Sequence, residues 1–190
     1  MLVVGLGNPG PRYARTRHNV GFDVIDRLAQ RAPNAAFRER FHGSFASVEL
    51  AGASVGLLKP ATFMNESGRS VQPALQFFKA PVHELLVVHD ELDLAFGELR
   101  LKVGGGDAGH RGLKSISGAV GNGYVRLRVG IGRPPAEFQG SVADFVLQGF
   151  SLAERVDIEQ VIERAADAVV LAATSGISVA MNATNQRQPR

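Results

Sequence analysis

Two residues far apart in the chain, His18 and Asp90, are of the types that together activate water. An imidazole titrates near neutrality and can take a proton from water, while a carboxylate on its other nitrogen fixes the tautomer and steadies the developing charge. Asn8 and Asn65 offer amides that donate and accept, suited to aligning a carbonyl group, although loop asparagines more commonly serve to build turns. The chain has no cysteine and no G-x-S-x-G elbow, which removes thiol enzymes and leaves a covalent acyl-enzyme without an obvious nucleophile. Direct attack by water is the simpler reading.

The acidic run 89–93 could suggest a metal site, but neighbours on an extended segment point in opposite directions and cannot all converge on one ion. No metal is therefore expected. Gly5, Gly7 and Gly10 match the dinucleotide fingerprint, yet Pro9 and Pro11 keep that loop extended where the fingerprint needs a helix opening on the glycines. The expected reading is a tight turn that presents Asn8. A third constellation is basic. Arg100 and Lys102 share one face of the run 99–103, Arg126 and Arg128 repeat the pattern in 125–129, and as neighbours the two strands would gather four cations on one sheet face. Arg111 and Lys114 follow between them, and Arg12, Arg15 and Arg17 crowd the approach to His18. Such a face suits a polyanion held through its phosphates.

These side chains must be carried by elements legible in the apolar pattern. The run 2–6 reads as a buried strand, and Val20, Val24, Ile25 and Leu28 then recur at helical spacing, with Asn19 placed to cap that helix. Runs 44–50 and 54–58 read as a hairpin, 85–88, 99–103 and 125–131 as further strands, and 68–79, 110–120 and 152–173 as helices. Strands alternating with helices predict an α/β fold: a single domain with a mixed, largely parallel sheet flanked by helices, whose function sits beyond the carboxyl ends of the strands. The domain is expected over 1–184, with 185–190 as a flexible C-terminal tail. At 190 residues, 45% of them hydrophobic, the chain can bury a core without staples. Its formal charge of +3 mildly favours an anionic partner. No stretch approaches the roughly 18 apolar residues of a membrane span, and no signal-like segment opens the chain, so a cytoplasmic location away from membranes is expected.

Five collinear motifs carry a resemblance: Gly-Leu-Gly-Asn-Pro-Gly over 5–10, Tyr-Ala-Arg-Thr-Arg-His-Asn-Val-Gly over 13–21, Lys-Pro-Ala-Thr-Phe-Met-Asn-Glu-Ser-Gly over 59–68, His-Asp-Glu-Leu-Asp over 89–93, and the triple glycine 104–106. In that order and spacing the chain closely resembles bacterial peptidyl-tRNA hydrolases over nearly its whole length. The resemblance implies hydrolysis of the ester between a peptide and the terminal ribose of tRNA, returning the tRNA to translation. It makes His18 the general base and Asp90 its orienting partner, with Asn8 and Asn65 holding the substrate and Tyr13 and Met64 lining the cleft. Lys102 and Arg128 match the family's clamp on the tRNA 5′-phosphate. It further implies a monomer that needs no cofactor or metal, and a lid over the peptide groove near 134–150. One position departs from the pattern: Arg111 stands where the family usually has asparagine after the histidine of the glycine loop. A non-catalytic RNA-binding module on the same fold is the alternative reading.

Overall fold

Alternation along the first strand sorts its side chains between two separate cores, Val3 into one and Leu2 and Val4 into the other. In the computed structural model, which describes residues 1–186, that strand lies inside a single seven-stranded sheet. The strands are β1 (Leu2–Gly5), β2 (Arg38–Arg40), β3 (Gly43–Leu50), β4 (Ala53–Pro60), β5 (Leu85–Glu91), β6 (Leu99–Val103) and β7 (Val125–Gly130). Their order is β2-β3-β4-β1-β5-β7-β6. The four central strands β4, β1, β5 and β7 run parallel, while the flanking pairs β2–β3, β3–β4 and β6–β7 are antiparallel. The mixed sheet, parallel at its centre, is the architecture expected from the sequence.

Among the described residues six α-helices accompany the sheet: α1 (Val20–Gln30), α2 (Gly68–Phe78), α3 (Arg111–Val120), α4 (Val142–Val146), α5 (Leu152–Ser175) and α6 (Ile177–Asn185). One sheet face packs against α1 and α5, where Val24, Ile25, Leu28, Ile158 and Val161 meet Val3, Leu86 and Leu127. The other packs against α2 and α3, through Val71, Leu75, Leu113 and Ile116 on Val4, Leu58 and Val87. Each fully buried aliphatic side chain contributes roughly 1.5–3 kcal/mol, so the two layers hold the strand ends as a rigid platform. No helix among the described residues is long and apolar enough to cross a membrane.

Three elements were not foreseen. β2 is a short exposed edge of charged residues, Arg-Glu-Arg, with no apolar alternation to advertise it. α4 occupies part of the segment expected as a lid. α6 reaches the start of the expected tail: Asn185 is its last residue, and its amide donates to the Leu101 carbonyl at 2.9 Å and accepts from the Leu101 N–H at 2.8 Å. That side chain completes the ladder along the free edge of β6, which would otherwise present unpaired backbone groups. Residues 187–190 of the expected tail lie outside the described residues.

Arg17 fastens α4 to the rest of the molecule. Only 5% exposed, it lies 4.3 Å from the Phe145 ring centroid, bonds the Gly149 carbonyl at 2.5 Å and pairs with Glu154 at 2.7 Å. An adjacent bridge between Thr16 and Gly149 adds backbone pairing. The segment beside His18 and the helix that walls the cleft are thereby joined.

Candidate active site

The turn that carries His18 is pressed against the sheet by backbone contact. Gly21, in the first turn of α1, packs so closely that a Cβ there would run into the Leu6 amide and the Val88 carbonyl. Only glycine permits this approach. It brings the 3-10 turn Arg17–Asn19 over the carboxyl ends of β1 and β5, the place where open parallel sheets bind ligands. His18 Nδ1 lies 2.9 Å and 3.0 Å from the two Asp90 oxygens. The predicted pair is formed, its members 72 positions apart in the chain.

Asp90 is 4% exposed and receives a second imidazole: His110 Nε2 lies 3.0 Å from Asp90 Oδ1. Burial works to raise the Asp90 pKa, but the two imidazoles, by charge and by hydrogen bond, hold it far below the ordinary carboxylate range. An ionised carboxylate only accepts, so His18 Nδ1 and His110 Nε2 must both donate. His110 is locked in that tautomer from its other side, because its Nδ1 accepts the Gly112 and Leu113 amides at the start of α3, at 3.2 Å and 3.4 Å. In neutral His18, Nδ1 holds the proton and Nε2 is a bare lone pair on the cleft side of the ring.

His110 escaped the sequence reading. Its only local signal was a position just before a helix, after a glycine loop, where it serves as N-cap. The third histidine nearby, His89, is a different case. It is 1% exposed, donates from Nδ1 to the Asp90 carbonyl at 2.7 Å and stacks edge-on to His110 at 5.0 Å. Burial, and then the His110 imidazole, push its pKa down to about 3. It stays neutral inside the protein and faces no solvent.

Asn19 occupies the N-cap position of α1, as expected, but its side chain makes no capping bond to that helix. That side chain instead brackets the backbone of Asn8, accepting from Asn8 N–H and donating to Asn8 C=O, both at 2.9 Å. Asn8 Oδ1 in turn accepts the Met64 N–H at 2.8 Å. With its oxygen engaged, Asn8 turns its Nδ2 hydrogens out as free donors. Asn8, Met64 and Asn65 all line the cleft with His18 and Asp90, whereas Tyr13 does not, being half-buried on the preceding turn beside Arg12. The cleft encloses about 520 Å³, and its far wall is apolar, built from Phe63, Leu92, Val142, Val146 and Leu147. Sequence reading missed this wall because its residues come from three separate segments.

β6 and β7 are neighbours, with Arg100 opposite Arg128 and Lys102 opposite Arg126, so the four cations do share a face. Their charges are spent differently. Arg126 is 3% exposed and bonds the Gly105 and Gly106 carbonyls, which shapes the glycine loop and takes it out of any phosphate contact. Arg100 is held by Glu98 and the Asn185 carbonyl, and Arg128 by Glu91 at 2.9 Å. Lys102 alone of the four is exposed with no hydrogen-bond or ion-pair partner among the described residues, its ammonium folded beside Gly105.

Among the described residues, His18, Asp90 and His110 also bring three possible metal-ligand atoms within 4.8 Å of one another. The hydrogen bonding disfavours a metal there. His110 Nδ1 already accepts two amides, so a metal on Nε2 would require the imidazolate.

Comparison with known proteins adds a separate line. The family model described as peptidyl-tRNA hydrolase matches residues 2–190. A peptidyl-tRNA hydrolase of Sorangium cellulosum is 56% identical over 189 residues, covering 98% of this chain and 84% of that protein. One from Mycolicibacterium smegmatis is 48% identical over 184 residues, covering 96% and 95%. The crystal structure of peptidyl-tRNA hydrolase from Acinetobacter baumannii superposes with a TM-score of 0.91 at 39% identity, covering 100% of this chain and 96% of that one.

The depressed His89 sets a pH dependence. Its folded pKa of about 3 lies below the ordinary imidazole value, so its contribution is fully present above pH ~6.5 and is lost as pH falls toward the folded value. Between pH 6.5 and 4 the loss is roughly 3 kcal/mol. Urea unfolding of His89→Gln should therefore show a flatter decline over that interval than the unchanged protein; equal declines would contradict the assignment.

Proposed function

This chain belongs to the peptidyl-tRNA hydrolase family and hydrolyses peptidyl-tRNA, and we propose that it does so by direct attack of a water that His18 deprotonates. The observation that supports this route is the Asp90 carboxylate bonded to His18 Nδ1, which leaves Nε2 bare toward the cleft. His18 Nε2 takes one proton of the water as its oxygen bonds to the ester carbon. The carbonyl oxygen becomes an oxyanion, for which the free Asn8 Nδ2 hydrogens and the exposed Asn65 amide are the available donors. Collapse of the tetrahedral intermediate breaks the bond to the ribose oxygen. That oxygen takes the proton from His18 Nε2, and the products are tRNA with a free hydroxyl and a peptide carboxylic acid, which gives its remaining water-derived proton to solvent and leaves as the carboxylate. Asp90 remains ionised throughout and stabilises the imidazolium between the two steps.

The apolar wall of Phe63, Met64, Leu92 and Val146 receives the peptide, and α4 stands over it where the lid was expected. Lys102 and Arg128 hold the 5′-phosphate of the tRNA, Lys102 as a free ammonium and Arg128 from its seat on Glu91. The protein works as a monomer in the cytoplasm, where its substrate arises in translation, and the freed tRNA returns to use. The alternative of an RNA-binding module without catalysis is set aside: its relatives are named as hydrolases, and a binder has no physical need for a carboxylate shared between two imidazoles.

His18→Ala should lower kcat by ~10²–10⁴-fold, the usual worth of a general base, while tRNA binding stays within a few-fold. Turnover near that of the unchanged protein would refute the mechanism. Lys102→Ala should raise KM more than it lowers kcat, and should reduce the slope of log KM against log salt by about one. An unaltered slope would remove Lys102 from the interface.

A further inference from the structure

The cleft holds two guanidinium groups besides its histidines, and they are not equivalent. Arg133 is bound by Asp93 through both Nε and Nη2. Arg111 is exposed, lines the cleft beside His110 and has no carboxylate within ion-pair distance among the described residues. The surrounding carboxylates are engaged elsewhere, Asp90 with the two imidazoles, Glu91 with Arg128, Asp93 with Arg133 and Asp107 with the Gly109 amide. Nor does the start of α3 supply an anion seat, because His110 Nδ1 has already taken the Gly112 and Leu113 amides. The guanidinium itself is what faces the substrate.

Resting on the hydrolase reading above, we infer that Arg111 binds the phosphodiester attached to the terminal ribose, the one formal charge every substrate carries next to the scissile ester. The peptide side of that ester offers neutral amides, whereas the ribose side begins a polyanion. A guanidinium fork matches two phosphate oxygens and stays charged at any working pH. The fold also orders the cations along the substrate. The glycine loop 104–109 runs from the end of β6, where the Lys102 ammonium lies against Gly105, to His110, which touches the carboxylate of the catalytic pair. Lys102 stands at the outer end of that loop and Arg111 at the inner end, one residue from His110. A strand of RNA that reaches His18 with its last ribose passes Arg111 with its last phosphate. Arg111 is thus a binding residue that favours esters of RNA over other acyl esters, without a part in the proton transfers.

The test uses N-acetyl-aminoacyl-tRNA with either the natural terminal phosphodiester or a single uncharged methylphosphonate in its place, with the unchanged protein, Arg111→Gln and Lys102→Ala. The variant positions are exposed, so folding is preserved. Neutralising that one phosphate should raise KM roughly tenfold or more in the unchanged protein, the worth of an ionic hydrogen bond. The same rise should appear in Lys102→Ala, which acts at the far end. In Arg111→Gln the KM should already be raised and should not rise further. An equal rise in the unchanged protein and Arg111→Gln would overturn the inference while leaving the hydrolase reading intact. Failure of the unchanged protein to cleave even the natural substrate would overturn that reading itself.

Discussion

A single buried carboxylate organises the site. Asp90 sits near the end of a central strand, almost without exposure, and accepts hydrogen bonds from two imidazoles that arrive from opposite sides of the sheet. A charge so buried is tolerated only when it is fully bonded, and here the bonding dictates the chemistry of its partners. Because Asp90 can only accept, it forces His18 to hold its proton on Nδ1 and frees Nε2 for water. Because it needs a second donor, it recruits His110, whose own tautomer is set by the first amides of α3. The base is therefore specified by a chain of hydrogen bonds anchored in the backbone of a helix, and not by the histidine alone.

The fold supplies the distances that this carboxylate requires. Backbone contact at Gly21 seats the His18 turn on β1 and β5, and the Arg126 guanidinium holds the glycine loop that leads into His110. Asn19 and Asn8 tie the first loop to the Met64 turn in the same way, through side chains that bond backbone rather than one another. Arg17 then secures α4 beside the catalytic turn. Loops that would be mobile by themselves are each clamped by one polar side chain, which leaves the site both open to a large substrate and fixed in its reacting groups.

Much of this was legible before the structure. Apolar alternation located six of the seven strands, and the ends of the strand-like runs pointed to Asn8 and Asp90 as neighbours of His18. What stayed hidden was tertiary in origin. β2 has no apolar face to betray it, and α6 follows α5 after a single glycine, Gly176, with Asn185 bonded to a strand that no local rule would connect to it. Periodicity placed Arg126 and Lys102 on the same sheet face but could not say that one is buried under the glycine loop while the other meets solvent. Asn19 looked like a side-chain cap because capping is the commonest local use of that residue; its long-range partner in Asn8 prevailed. His110 was overlooked for the same reason, since its importance comes from a carboxylate 20 residues earlier in the chain.

Nitrogen-15 NMR of the histidine rings at pH 8 reads the protonation of each nitrogen directly and so probes the shared carboxylate at its source. The bonding around Asp90 predicts His18 protonated at Nδ1 with Nε2 bare and His110 protonated at Nε2; in Asp90→Asn the His18 pattern is lost while His110, held by the first amides of α3, keeps its own. A His18 ring that carries its proton on Nε2 in the unchanged protein would contradict the role of Asp90 as the group that prepares the base.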